Sequence, residues 1–151
     1  MIVHKDDYIY MVIPAGTTFY KKVRVHSESR RDVKAAVLEL RSLEVGILPI
    51  MSTKGGTITN LNNDFKLRVP EALVKSVVVF LDNDSSIYNI NYVFIDNVKS
   101  IKDAIFTSFH DGNFNYVVGE VVKSNWYDTN PTVICTNGIH GFLSLNAAIG
   151  Y

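Results

Sequence analysis

The sequence has one cysteine and no excess charge of either sign, and both shortages exclude classes of protein. Cys135 cannot form a disulfide within the chain or supply a zinc cluster built on thiolates. Lys plus Arg and Asp plus Glu each total 15, so the formal net charge is zero. A neutral chain lacks the concentrated basic charge that binding to nucleic-acid phosphates requires. We therefore expect no internal disulfide, no thiolate metal site and no nucleic-acid partner.

Long apolar runs are also missing. No uninterrupted apolar stretch approaches the roughly 20 residues that span a bilayer. The opening "MIVHKDDYIY" has two aspartates where a signal peptide would have its apolar segment. We therefore expect no membrane partner and a location inside the cell that makes the protein. With 47% hydrophobic and 20% charged residues, residues 1–151 have the composition of a single folded domain.

Most of the chain has the pattern of β-strands. Two β-rich runs, "DYIYMVI" and "TTFYKKVRVHS", flank Pro14-Ala15-Gly16 and predict a hairpin. In the second run Phe19, Lys21, Val23 and Val25 share one face. Further strands are predicted in "ILPIM", "FKLRVPEALVKSVVVFL", "YNINYVFI", "FNYVVGEVV", "PTVIC" and "IHGFL", and Gly119 predicts a bulge or bend in "FNYVVGEVV". The runs "SVVVFL" and "YNINYVFI" flank the turn residues "DNDSS" as the arms of a second hairpin.

One segment changes to a helical period. In "SESRRDVKAAVLELRSLEVG", residues 27–46, apolar side chains recur at helical spacing. Ser27 or Ser29 can cap the start of this helix, and Gly46 suits its end. The stripe consists of Val33, Ala36, Val37, Leu40 and Leu43. The pattern predicts the main helix of the protein.

Two shorter helices complete the predicted fold. "NVKSIKDAIFTSF", residues 97–109, has one apolar stripe, and Ser144 can cap a final helix in "LNAAIGY". Strands still outnumber helices. The predicted class is therefore α+β, with a mostly antiparallel β-sheet, one main helix and a short C-terminal helix.

Motifs for phosphate, calcium and zinc are incomplete. "TKGGTI" matches no phosphate-binding loop, and "DNDSSIYNINYV" lacks the central glycine and final glutamate of a calcium loop. His4, His26, His110 and His140 form no H-x-H or H-x-x-x-H pair. We predict no metal, no cofactor and no catalytic residue. A hydrolase using His110 with Asp111 is the least favoured alternative.

The closing segment "ICTNGIHGFLSLNAAIGY" concentrates the remaining candidates. The Asn137-Gly138 turn can bring Cys135 close to His140, although a lone cysteine after an apolar run is usually a small buried side chain. A nucleophilic cysteine would need a base held beside it. Gly141 permits close approach of another backbone or of a ligand.

From about residue 65 to residue 151 the chain resembles an uncharacterised domain family of phages and large DNA viruses. The resemblance rests on "LRVPEAL", "FNYVVGEVV" and, above all, "CTNGIHGFLSLNAAIGY". The last stretch fits a C-x-x-G-I-H-x-F-L-x-x-x-x-A-x-x-Y motif, with Gly141 in place of the first phenylalanine of the family's pair. The resemblance implies a viral or phage origin and no particular activity.

A second similarity points to a ligand cleft. "FYKKV" and "GIHGFLSLNAAIGY" are similar to the two elements with which ADP-ribosyltransferases hold NAD. Those enzymes also use a glutamate on a later strand, and no such strand follows here, so the similarity implies a degenerate, nucleotide-like binding cleft without transfer activity. In that cleft His140 would donate to a ribose or phosphate oxygen, and Phe142 would stack on a base. The candidate ligand-binding residues are Tyr20, Lys21, Cys135, His140 and Phe142.

Two function classes therefore stand from the sequence. The leading hypothesis is a non-enzymatic viral or phage accessory protein that acts through protein contacts or self-association, in the host cytoplasm or as a virion component. Aromatic residues in β-rich segments suit an interface, and they are Tyr8, Tyr10, Tyr88, Tyr92, Trp126 and Tyr127. The alternative is a protein that binds a small, nucleotide-like ligand.

Overall fold

The computed structural model describes residues 1–5, 8–52, 65–81, 92–94, 103–109, 111–112, 114–130 and 137–151. Within these residues the chain consists of antiparallel strands and one short helix. The elements are β1 (Ile2–Lys5), β2 (Tyr8–Ile13), β3 (Thr18–His26), β4 (Ala35–Ser42), β5 (Gly46–Ser52), β6 (Leu67–Val69), β7 (Glu71–Leu81), β8 (Tyr92–Phe94), β9 (Ile105–Thr107), β10 (Asn115–Tyr116), β11 (Val121–Lys123), β12 (Ile139–Gly141) and α1 (Leu145–Gly150).

The described strands form two sheets. The first sheet has the order β1-β2-β5-β6-β12, and the second has the order β10-β9-β3-β4-β7-β11 with β8 also paired to β7. Neighbouring strands in both sheets run antiparallel, and β4 lies at the centre of the second sheet between β3 and β7. The two sheets meet at one corner, where Tyr20 of β3 pairs with Phe142 just after β12.

The main core joins side chains from both sheets. Alternation along β3 sends Phe19, Val23 and Val25 into this core, where each is buried. Strands β4, β6 and β7 supply further buried side chains, which are Ala36, Leu38, Leu40, Leu67, Val69, Ala72, Val74, Val77 and Phe80. This shared cluster holds the sheets together through the removal of apolar surface from water.

A second, smaller cluster lies under the C-terminal helix. The side-chain oxygen of Ser144 accepts a hydrogen bond from the amide of Ala147 at 3.3 Å, which confirms the predicted N-cap of α1. The helix packs against β3 and β4, and Ala148 is its buried residue. The cluster consists of Ala35, Val37, Val79, Leu81, Phe142 and Ala148. Among the described residues no helix is long and apolar enough to cross a membrane.

The predicted main helix over residues 27–46 is wrong, and so is the α+β class. Residues Ala35–Ser42 form strand β4, and Gly46 begins strand β5. Strand β4 is central and is buried on both faces, since Ala36 packs in the main core and Val37 packs under α1. A strand covered on both faces has a continuous apolar run instead of alternation. In this segment that run imitates helical spacing.

Two further predictions need correction. Strands β2 and β3 do not pair as a hairpin, because they belong to different sheets and the Pro14–Gly16 turn carries the chain between them. That turn is held by the amide of Gly16, which donates to the carbonyl of Ser42 at 2.7 Å. In the predicted helix 97–109, residues Ile105–Thr107 form strand β9 beside β3; residues 97–102 lie outside the described residues.

Several strand predictions are confirmed. Strand β5 lies in "ILPIM", and β7 pairs with β8 as the second predicted hairpin requires. The bend predicted at Gly119 is a turn with a φ of 89° between β10 and β11. The closing strand β12 is present as expected. The predicted strand "PTVIC", residues 131–135, lies outside the described residues.

Candidate ligand-binding site

A cavity of about 670 Å³ opens where the β12 end of the first sheet approaches the β10 end of the second. We call it the Lys21 cavity. Its lining combines basic, acidic and aromatic side chains with small polar ones, and the groups that matter for binding are Lys21, Lys66, Asp111, Tyr116, Trp126 and His140. Small-molecule sites commonly have volumes of about 300–1,000 Å³, so the space suits a metabolite-sized ligand.

Lys21 enters the cavity because it lies on the core-facing side of β3. It shares that side with Phe19 and Val23, both fully buried. Its ammonium nitrogen donates to the backbone carbonyl of His140 at 3.2 Å and lies 5.7 Å from the centre of the Tyr116 ring. Burial, and secondly the positive charge of Lys66, lower the pKa of Lys21 to about 7. Near neutral pH this amine is therefore divided between its charged and neutral forms.

Lys66 supplies a second cation to the same space. Only 4% of its surface is exposed, and its nitrogen donates to the hydroxyl of Tyr151 at 2.9 Å. The same nitrogen lies 4.6 Å from the centre of the Tyr151 ring, which in turn contacts the ring of Phe142. The end of α1 therefore helps to hold Lys66 at the cavity.

His140 reaches the cavity from strand β12. Its neighbours Ile139 and Gly141 are buried, while His140 is partly exposed and lies opposite Arg68 in the strand register. A Cβ atom at Gly141 would approach Cδ2 of Phe19 to 2.5 Å and the carbonyl oxygen of Tyr20 to 2.6 Å. Glycine is thus required at position 141 for β12 to lie this close to β3.

Arg68 shapes the wall of the cavity without being exposed to solvent. Its side chain is fully buried, and its Nε and Nη2 atoms donate to the backbone carbonyls of Asp128 and Asn130. The hydroxyl of Tyr127 donates back to the carbonyl of Arg68 at 3.3 Å. These bonds hold the segment after β11 in place, and that segment carries Trp126, 61% exposed, to the cavity.

The electrostatic balance of the lining favours an anion. Lys21, Lys66 and His140 can carry positive charge, and Asp111 is the carboxylate among the described lining residues. Burial, and secondly the charge of Asp111, raise the pKa of the Tyr116 hydroxyl above its ordinary value, so this phenol keeps its proton in neutral solution. No group of three or more potential metal ligands occurs among the described residues.

The residues singled out in the sequence take different positions. Lys21 and His140 meet at the cavity. Tyr20 is partly buried against the cluster under α1, and Phe142 is a buried member of that cluster, 2% exposed. Cys135 lies outside the described residues. From the less favoured alternative, Asp111 lines the cavity and His110 lies outside the described residues.

The burial of one cavity residue and of one residue behind the cavity was not predicted from the sequence. Lys66 and Arg68 stand in "FKLRVP", where alternating basic residues read as the exposed face of a strand. Both are buried instead. One feature of the sequence indicated a polar site inside the fold. Lys21 is a basic residue on the otherwise apolar face of β3, and a basic side chain on such a face needs polar partners.

Comparison with known proteins adds a partial family match. Residues 83–148 match the model of a family of unknown function, DUF5758, so an uncharacterised domain covers less than half of the chain. No curated protein and no solved structure matches the chain. The matched segment includes Trp126 and His140, whereas Lys21 and Lys66 precede it.

Proposed function

We propose that this protein binds a small anionic ligand in the Lys21 cavity. The observation that carries the proposal is the approach of two lysine side chains, Lys21 and Lys66, to one cavity. Desolvation, and secondly the positive charge of Lys66, lower the pKa of Lys21, so the two cations repel each other. A phosphate or carboxylate group bound between them would offset that repulsion and accept charge-assisted hydrogen bonds.

The rest of the lining suits a ligand with a planar part. Trp126 presents an exposed indole, which can stack on a flat ring. Ser124, Asn125 and Asn137 provide hydrogen-bonding groups at the same cavity. Phe142 does not serve this purpose in the described conformation, because it is buried under α1. A nucleotide-like ligand, with a phosphate and a base, combines the features that the lining favours.

Titration of the tryptophan fluorescence tests the proposal, since Trp126 is the only tryptophan of the chain. The probes are adenosine 5′-monophosphate, inorganic phosphate and adenosine. We expect the nucleotide to bind best, and we expect Lys66→Gln to weaken both phosphate-bearing probes by about tenfold or more, or at least about 1.4 kcal/mol.

The matched control is Lys123→Gln, which removes an exposed lysine outside the cavity. This variant should bind like the original protein. Absence of saturable binding by all three probes, or equal losses in the Lys66 and Lys123 variants, would overturn the proposal.

A second candidate function is self-association. The turn between β10 and β11 exposes three valines, Val117, Val118 and Val121, each at least 44% accessible. An apolar patch of this kind suits contact with a second copy of the chain. Sedimentation should then detect a dimer in the original protein and a monomer in the Val118→Asp, Val121→Asp double variant. A monomer at every concentration would argue against this role.

The origin and biological setting remain proposals as well. The closing "CTNGIHGFLSLNAAIGY" motif supports a phage or large-DNA-virus origin, and with it an accessory role in the host cytoplasm or in the virion. Ligand binding and self-association are both compatible with such a non-enzymatic role. Native mass spectrometry of the purified protein distinguishes them, because a bound metabolite adds a small discrete mass and a dimer doubles the mass.

A further inference from the structure

Lys21 has the surroundings of a reactive amine instead of those of a structural cation. It lies on the apolar face of β3 between Phe19 and Val23, and it borders the cavity. Among the residues that the structure describes, no carboxylate forms an ion pair with it. A lysine that is desolvated and adjacent to another cation is the kind that serves as a nucleophile toward carbonyl groups.

The hydrogen bond of Lys21 can be made by the neutral amine. An ammonium group has three N–H donors, while a neutral amine has two and also a lone pair. In the described part of the chain, the Lys21 nitrogen makes one hydrogen bond, to the carbonyl of His140 at 3.2 Å. That bond fixes the nitrogen beside the cavity and leaves the lone pair available to attack.

Lys22, the next residue, provides an internal comparison. It is buried, 6% exposed, whereas Lys21 is partly exposed, and it lies on the opposite face of β3. Its nitrogen donates to the carbonyl of Ile149 at 3.3 Å, near the end of α1. Lys22 does not border the Lys21 cavity. Lys22 is thus the more deeply buried of the two lysines, and access to a ligand-sized space distinguishes Lys21.

We propose that Lys21 condenses with the carbonyl group of an anionic aldehyde or ketone whose phosphate or carboxylate is held by Lys66. The inference rests on the proposed anion-binding function and narrows its ligand class to carbonyl compounds. The lone pair of the Lys21 nitrogen forms a bond to the carbonyl carbon as the π bond of the carbonyl breaks, and the oxygen takes up one of the two nitrogen protons. The resulting carbinolamine loses that oxygen as water, together with the remaining proton of the nitrogen, and leaves a neutral imine. The condensation needs no oxidant or reductant.

The probe is pyridoxal 5′-phosphate, which combines an aldehyde, a phosphate and a planar ring. After incubation near one equivalent, borohydride reduces any imine to a stable amine, and peptide mapping locates the label. We expect Lys21 to be labelled about tenfold or more over the exposed lysines Lys34, Lys75 and Lys123. Even labelling of the exposed lysines, or labelling of Lys22 or Lys66 in preference to Lys21, would overturn the inference.

Pyridoxal, which lacks the phosphate, is the matched control probe. It should label Lys21 less than pyridoxal 5′-phosphate does, and the difference between the two probes should shrink in Lys66→Gln. Equal labelling of Lys21 by both probes in the original protein would contradict the assignment of the anion to Lys66.

The pH profile of labelling supplies a readout that a structural role would not produce. The titratable groups that line the cavities at Lys21 are Lys66, His140, Tyr116, Asp111, Lys22 and Tyr151. With a pKa of about 7, the rate at Lys21 should level off above neutral pH. The rates at exposed lysines should continue to rise toward about pH 10. Parallel profiles for Lys21 and Lys123 would contradict the proposal.

Lys21→Arg distinguishes anion binding from imine formation. Arginine keeps a cation at the cavity but cannot form an imine, so phosphate binding should persist while labelling at position 21 is lost. If the original protein binds inorganic phosphate but is not labelled at Lys21, the condensation fails and the binding function stands. If neither phosphate nor label is bound, both fail.

Discussion

Tyr20 and Phe142 exchange a pair of backbone hydrogen bonds. The amide of Tyr20 donates to the carbonyl of Phe142 at 2.7 Å, and the amide of Phe142 donates to the carbonyl of Tyr20 at 2.8 Å. This bridge joins the end of the first sheet to β3 of the second. It also brings the carbonyl of His140 within reach of Lys21. The proposed site therefore depends on the corner between the two sheets.

Substitution of Gly141 tests that corner. A Cβ atom in Gly141→Ala would collide with Phe19 and the carbonyl of Tyr20, so β12 must move away from β3. We expect a loss of about 1–3 kcal/mol in the free energy of unfolding, measured by urea denaturation. Gly150→Ala is the control, since nothing lies within 4 Å of a Cβ there. Equal stabilities of the two variants would contradict the close packing.

Arg68→Met should destabilise the wall of the cavity. The carbonyls of Asp128 and Asn130 would lose their buried donors, at a cost of about 2–4 kcal/mol in the free energy of unfolding. The fluorescence of Trp126 should change as well, because the segment that carries it loses its anchor. Arg41→Met, at an exposed position of β4, is the control and should leave both properties unchanged. Unaltered Trp126 emission in Arg68→Met would argue against a role of Arg68 in positioning the wall.

The stability of the protein should rise with pH above neutrality because of Lys21. Its pKa is 10.5 when unfolded and about 7 when folded, so between these values the unfolded chain binds the extra proton. The free energy of unfolding then increases by up to about 1.4 kcal/mol per pH unit. This contribution is complete above the unfolded pKa and is lost as the pH falls through the folded one. Urea midpoints at several pH values should show the slope, and Lys21→Met should remove it.

Tyr116 should lower the stability of the protein at high pH. Its pKa is raised above the ordinary 10.0, so the folded state retains a proton that the unfolded chain releases. The stability from Tyr116 is present below pH 10 and declines as the pH rises further. We therefore expect Tyr116→Phe to flatten the decline in stability above about pH 10. An equally steep decline above pH 10 in Tyr116→Phe and in the original protein would contradict the assignment to Tyr116.

Asp103 links the loop after β3 to the start of β9. Its carboxylate accepts hydrogen bonds from the amides of Glu28 and Ser29 and from the hydroxyls of Ser27 and Ser29. These bonds hold the pKa of Asp103 well below its usual range. Asp103→Ala should accelerate hydrogen exchange at the Glu28 and Ser29 amides. Asp32→Ala, which removes only the exposed pair with Arg30, should leave those two amides unchanged.

The errors of sequence reasoning in this protein have a common cause. The apolar residues of strand β4 have a helix-like spacing because the strand is buried on both faces. The first sheet covers one face of the second sheet, and α1 covers the other. The sequence of β2 and β3 has the pattern of a hairpin because turn residues separate two β-rich runs. The two strands nevertheless belong to different sheets. Local patterns report burial and turns. They do not report which element provides the cover or the partner.

The sequence by itself determined the features that depend on neighbouring residues. These are the alternation along β3, the turn at Gly119 and the Ser144 cap of α1, each set by backbone geometry or a short-range hydrogen bond. Only the tertiary structure decided that Lys66 and Arg68 are buried and that Lys21 and His140 share a cavity. Those relations join residues more than 40 positions apart, and the free energy of burying a charged group depends on the partners that the whole fold brings to it.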